Sequence, residues 1–170
     1  LPLDILLAHD LPGWLAAATG RHPVHPRDLA IELTETTPVR DGGALRRALL
    51  RLRRAGHDVV IDDLGLQDER SWLLDLPFTG VKLDRSLVLA LPNSARARRE
   101  LGGIVRRARR GGLRVTAEGI SSALLWRTAG SLGVDEMQGF AIGRPMLAEG
   151  LPAWASHWPA TGLAGRAGGS

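Results

Sequence analysis

The 170-residue chain has no cysteine and no tyrosine, and only one of its 22 basic residues is a lysine. Without cysteine there is no disulfide, no thiol nucleophile and no thiolate metal site. Aromatic side chains are few, five Trp and two Phe, so aliphatic residues must build most of the core. No apolar run approaches the roughly 20 residues a helix needs to cross a bilayer, and no charged-then-apolar leader is present. The expectation is a cytoplasmic chain with neither membrane span nor signal peptide. What remains, 44% hydrophobic and 24% charged residues, fits a soluble globular domain with one core.

The lone lysine, Lys82, stands in the apolar run Gly80-Val81-Lys82-Leu83-Asp84. Arginine serves every other side-chain cation, so the exception marks a position that wants a compact ammonium and not a planar fork. Three further short apolar runs also end in charge: Ala30-Ile31-Glu32-Leu33-Thr34-Glu35, Val59-Val60-Ile61-Asp62-Asp63 and Val115-Thr116-Ala117-Glu118-Gly119.

Strand-like runs recur at about 3–8, 29–34, 58–63, 80–84, 113–118 and 135–140. Helical patterns separate them. In 43–55, Leu45, Leu49 and Leu52 fall on one face, and in 97–110, Leu101, Ile104, Val105 and Ala108 repeat the stripe. Gly111-Gly112 supplies a left-handed stop, and Ser121-Ser122 offers caps for a third helix over 121–132. A short helical turn is expected over 71–76, ending at Pro77. This alternation implies parallel strands with crossover helices, hence an α/β fold, and the apolar strands fit a sheet covered by helices. The domain is expected to occupy 1–150. Residues 151–170 are expected to form a C-terminal helix and tail, partly disordered, with 162–170 frayed.

The net charge of +4 raises the question of nucleic acid. Arg46, Arg47, Arg51, Arg53 and Arg54, and again Arg106, Arg107, Arg109 and Arg110, lie opposite the leucine stripes of their helices. No aromatic side chains interleave with them as base stacking would want. They read as solvated outer faces, with no specific nucleic-acid contact expected.

In parallel α/β folds the chemistry gathers at the carboxyl ends of the strands. Glu32, Asp62, Asp63, Lys82 and Glu118 sit at the ends of four of them. Converging carboxylates repel, so they need cations between them, and oxygen-only ligands favour Mg²⁺ or Mn²⁺ over zinc. Neighbouring residues on a regular strand point to opposite faces, so Asp62 and Asp63 can share a site only if the strand ends between them.

Taken in order, Glu32-Leu33-Thr34-Glu35, Asp62-Asp63-Leu64-Gly65, Lys82-Leu83-Asp84-Arg85-Ser86, Ala117-Glu118-Gly119-Ile120, Gln138-Gly139-Phe140 and Gly143-Arg144-Pro145 resemble the motifs of EAL domains, the cyclic di-GMP phosphodiesterases. The resemblance implies a TIM-barrel-like (β/α) fold, of which 1–150 would form about the C-terminal two thirds. It implies hydrolysis of cyclic di-GMP to linear pGpG with Mg²⁺ or Mn²⁺. By the same resemblance Glu32, Asp62, Asp63 and Glu118 match metal ligands, and Glu118 also matches a general base. Lys82 matches the lysine that holds the attacking water or the scissile phosphate. Asp84, Gln138 and Pro145 match substrate-side positions, and Glu35 matches a glutamate that steadies the loop after the paired aspartates. Cyclic di-GMP is the implied partner, together with homodimerisation or attachment to upstream sensor or cyclase domains.

Several features depart from the family pattern. The Glu-Ala-Leu segment has no counterpart in these residues. Leu1–Leu11 resembles the family strand that carries an amide ligand, with Leu6 standing in its place. The loop Leu64–Arg70 replaces a Phe-Gly-Thr-Gly segment and serines, and about one residue is missing before Lys82. Ser121 replaces a glutamate. These changes lead to the expectation of weak hydrolysis in this chain. The alternative is an inactive EAL module that receives cyclic di-GMP or a protein partner. A different Mg²⁺–lysine barrel enzyme is disfavoured, because Gln138-Gly139-Phe140 would have no role in it.

Overall fold

Short apolar runs become strands and leucine stripes become the helices that cover them. The computed structural model describes residues 1–34, 38–66 and 68–161. In chain order it contains α1 (Leu3–Leu7), α2 (Leu11–Thr19), β1 (Ala30–Leu33), α3 (Gly42–Arg54), β2 (Asp58–Leu64), β3 (Gly80–Leu83) and α4 (Arg85–Ala90). These are followed by α5 (Ala95–Gly111), β4 (Arg114–Ala117), α6 (Ala123–Ser131), β5 (Glu136–Met137) and α7 (Leu151–Thr161). The strands form one parallel sheet in the order β1-β2-β3-β4-β5. Each strand after β1 pairs in parallel with its predecessor in the chain, so every connection is a crossover from one end of the sheet to the other. No helix among the described residues is long and apolar enough to cross a membrane.

Helix boundaries follow their caps. Asp41 accepts from the Ala44 amide at 2.9 Å, Ser94 from Ala97 at 3.1 Å and Ser122 from Leu125 at 3.2 Å, each satisfying an orphan donor of the first turn. Gly112 ends α5 at φ +71°, in the left-handed region a glycine enters without steric cost. Between β2 and β3 the chain makes a 3₁₀ stretch over Glu69–Asp75.

The first expected strand is not one. Residues 3–7 are helical, and Leu3 and Leu6 are buried in the core. Leu3, Leu6 and Leu7 suit one helical face as well as a short strand, and tertiary packing decides between them. Arg51 of α3 reaches the terminal carbonyls of α1, those of Leu7 at 3.4 Å and Ala8 at 3.5 Å. The residue that does pair with β1 is Leu1. Its terminal ammonium donates to the Glu32 carbonyl at 2.5 Å and its carbonyl accepts from the Thr34 amide at 3.1 Å. β5 is also shorter than the run over 135–140. Gly139 turns the chain at φ +156°, so close to the loop after β4 that a Cβ would collide with the Ile120 carbonyl oxygen.

The two faces of the sheet differ. Ile31, Leu33, Val59, Ile61, Val81, Leu83, Val115 and Ala117 are buried in one core with Leu45, Leu49 and Leu52 of α3 and Leu101, Val105 and Ala108 of α5. Each such leucine withdrawn from water contributes about 1.5–3 kcal/mol. The alternate residues Glu32, Val60, Asp62, Lys82 and Thr116 are only partly buried. The expectation of a sheet uniformly covered by helices therefore needs correction: helices cover one face, and charged groups line the other. Near the amino ends of the strands, Arg114 pairs with Asp58 at 2.5 Å and with Glu136 at 3.8 Å on that polar face. At the carboxyl ends stand the acids and the lysine.

Candidate active site

Asp62 and Asp63 share one site through a bulge. The register of β2 on β3 shifts between Ile61 and Leu64, and Asp63 is the one non-glycine residue at positive φ among those described, at +52°. The strand does not stop between the two aspartates as anticipated. The extra residue rotates the second carboxylate back toward the first. Ligand atoms of Asp62, Asp63 and Glu118 then lie within 4.8 Å of one another. Burial, followed by repulsion from Asp62, Glu118 and Asp84, raises the Asp63 pKa above its ordinary value against the pull of Lys82.

Lys82 stands at the centre of the acids. Its Nζ is 2.6 Å from Glu118, 3.1 Å from Asp62 and 3.1 Å from Glu32, so one ammonium joins carboxylates from β1, β2 and the end of β4. Its side chain is 15% exposed. Burial by itself would lower the lysine pKa, but hydrogen bonds to Glu118, Asp62 and Glu32 outweigh it and push the group above its ordinary value. Three donors meeting three carboxylates is an arrangement the coplanar fork of arginine could not copy.

The loop after the aspartates is braced by residues the sequence reading passed over. Arg70 donates to the Asp63 carbonyl at 2.7 Å and to the Asp62 carbonyl at 3.2 Å. The same guanidinium grips Asp68 through Nε at 3.1 Å and Nη2 at 2.7 Å. Asp68 also accepts from the amides of Arg70 at 2.7 Å and Gly65 at 3.3 Å. Burial would raise the Asp68 pKa, yet these bonds from Arg70 and Gly65 hold it below the usual aspartate value. Arg70 carried little signal in a chain so rich in arginine.

The remaining expected positions are placed unevenly. Asp84 caps α4, accepting from the Ser86 amide at 2.9 Å and from the Ser86 hydroxyl. With Asp63, Arg70 and Trp72 it lines a cavity of about 960 Å³ beside the acids. Gln138 is exposed just beyond β5, its backbone tied to Ala117 and Ile120. Pro145 lines a separate cavity of about 580 Å³, with Phe140, Arg144, Trp154 and Trp158. Glu35 lies outside the described residues. Leu6 is far from the role expected of it, being 1% exposed within α1, so it does not occupy a ligand position.

The donor set is chemically uniform. Asp62, Asp63 and Glu118 offer hard carboxylate oxygens at a strand mouth, which suit an oxygen-loving divalent cation such as Mg²⁺, Mn²⁺ or Ca²⁺.

Comparison with known proteins identifies the family. The EAL domain family model matches residues 2–145. A cyclic di-GMP phosphodiesterase of Pseudomonas aeruginosa is 36% identical over 127 residues, 74% of this chain and 22% of that protein. The solved structure of the PaMucR phosphodiesterase in complex with c-di-GMP superimposes with a TM-score of 0.75 at 32% identity, covering 88% of this chain and 62% of that one. Klebsiella pneumoniae BlrP1, solved with manganese and cyclic di-GMP, gives a TM-score of 0.74 at 29% identity, covering 85% and 38%. The chain spans about a fifth of the length of the curated relatives it matches.

Proposed function

The chain belongs to the EAL domain family, and on that premise we propose that its acidic strand mouth is the metal-binding and catalytic face of a cyclic di-GMP phosphodiesterase. The observation that carries this reading is the convergence of Asp62, Asp63 and Glu118 ligand atoms within 4.8 Å, with Lys82 among them. Asp62, Asp63 and Glu118 would hold a divalent ion, with Glu32 alongside. When bound, such an ion would polarise the phosphodiester and lower the pKa of water at the site.

The protein's own groups divide the remaining work. Lys82 pairs with Glu32, Asp62 and Glu118 and would turn toward the phosphate or the attacking water once a divalent ion takes over the carboxylates. Glu118 would accept the proton of that water. Asp84, just after β3, and Gln138, just after β5, would contact the nucleotide, and Pro145 would flank a guanine. Balance requires that water oxygen bond to phosphorus while the opposite P–O3′ bond breaks, the leaving oxygen being protonated to give linear pGpG.

Turnover by these 170 residues alone is expected to be low. Glu32, Asp62 and Glu118 already pair with Lys82, and among the described residues one group of three acids supplies donors for one tightly held ion where a two-ion clamp wants more. The loss of an amide ligand at Leu6 no longer supports this expectation, since Leu6 lies in the core. The test is pGpG formation with Mn²⁺ and with Mg²⁺, run beside equilibrium dialysis of cyclic di-GMP. Slow, metal-dependent pGpG formation supports the reading. Tight nucleotide binding with no product would favour a receptor, and neither binding nor product would remove cyclic di-GMP from consideration.

A further inference from the structure

The Asp62-Asp63 pair adopts a backbone shape that needs outside support. Asp63 sits at φ +52°, a region that costs an ordinary residue about 1 kcal/mol or more, and the ladder between β2 and β3 is interrupted at this point. At this interruption the carbonyls of Asp62 and Asp63 both accept from one guanidinium, that of Arg70, at 3.2 and 2.7 Å. Arg70 is itself aimed by Asp68, which receives two of its side-chain donors and its backbone amide. Both Arg70 and Asp68 are mostly shielded, with side chains 21% and 12% exposed.

From this arrangement we infer that Arg70, oriented by Asp68, is a positioning residue that holds the bulged backbone of Asp62 and Asp63 so that their carboxylates converge with Glu118 for a divalent ion. The inference rests on the metal-site reading given above. The guanidinium is suited to the task because one planar group spans two carbonyls on one side and a carboxylate on the other. A lysine would reach one of these partners and leave the rest. Arg70 touches neither the ion nor the nucleotide in this scheme, and acts only through the two aspartates.

The experiment is Mn²⁺ binding to the 170-residue chain, followed by electron paramagnetic resonance and calorimetry. Unsubstituted protein is compared with Arg70→Met, Arg70→Lys, Asp68→Asn and the control Arg107→Met. Arg107 makes an ion pair with Asp75 at 2.5 Å, so its loss reports on removal of a paired arginine elsewhere. Amide hydrogen exchange at Asp63, Leu64 and Gly65 is recorded without metal, well below the unfolding midpoint of each variant. Groups that orient metal ligands typically contribute 10–100-fold to affinity. Arg70→Met is therefore expected to weaken Mn²⁺ binding by about 10-fold or more, to broaden its resonance and to speed exchange at the three amides. Arg70→Lys should recover little of the loss, and Asp68→Asn should fall between. Arg107→Met should bind as the unsubstituted chain does. Unchanged Mn²⁺ affinity in Arg70→Met, or full recovery by Arg70→Lys, would overturn the inference while leaving the metal site intact. Failure of the unsubstituted chain to bind Mn²⁺ would overturn the proposed function and this inference with it.

Discussion

Lys82 Nζ and Glu118 Oε1 meet at 2.6 Å, closing a bridge between β3 and the end of β4. The same ammonium holds Asp62 and Glu32 at 3.1 Å. The proposed divalent ion would draw on the Asp62 and Glu118 carboxylates that this ammonium also engages, so each should weaken the other's hold.

That competition sets the first expected outcome. Lys82→Met leaves the acids to repel one another, and metal-free stability should fall by about 1–3 kcal/mol. Mn²⁺ should then raise the melting temperature of the variant by more than it raises that of the parent. Lys82→Arg keeps the charge, but its wider planar group should displace the water or metal, and residual pGpG formation should vanish. Parent-like turnover in the arginine variant would mark Lys82 as a bystander.

Asp63 combines a left-handed backbone with a raised pKa. Asp63→Gly should relieve about 1 kcal/mol of backbone cost and remove a repelling charge, raising thermal stability of the metal-free chain. The same change should weaken Mn²⁺ binding. Stability and metal affinity moving in the same direction would contradict the assignment.

Asp68 predicts an acid-side dependence. Its folded pKa lies below the ordinary value of 3.8, so its stabilising contribution is present above that value and is lost as pH falls through the lower folded one. Asp68→Asn should cost about 1–2 kcal/mol near neutrality, and the two unfolding curves should converge in strong acid. A gap that persists there would mean that the charge of Asp68 is not what matters.

Leu6 is 1% exposed in α1. Leu6→Asn should create no ligand. It should destabilise the chain by about 3 kcal/mol through lost burial and an unpaired amide in the core. Calorimetric unfolding measures this, and a gain in Mn²⁺ affinity would restore the strand reading of residues 3–8.

The arginine-rich helices are expected to bind DNA weakly and without sequence preference, with a steep loss on adding salt. Several of these arginines work within the protein: Arg51 on α1, Arg53 on Pro77, Arg107 on Asp75 and Arg109 on Gly133. Tight, sequence-selective binding in a titration at physiological salt would overturn this.

What could be read from the amino-acid order was chemistry attached to strand ends. Glu32, Asp62, Asp63, Lys82 and Glu118 each follow or interrupt a short apolar run, and a parallel sheet brings such ends to one side wherever its strands align. Apolar spacing announced α3 and α5, and the Ser121-Ser122 caps announced α6, again from local sequence alone. The tertiary structure decided what depends on partners distant in sequence. Residues 3–7 became a helix because α3 offered a surface for Leu3 and Leu6 and a guanidinium for its last carbonyls. Asp63 turned back toward Asp62 because β2 bulges against β3. Arg70 became a brace because the loop returns it to the carbonyls of two residues seven and eight positions earlier. None of these follows from periodicity, since hydrogen-bond geometry between non-neighbours is settled only when the chain has folded around them.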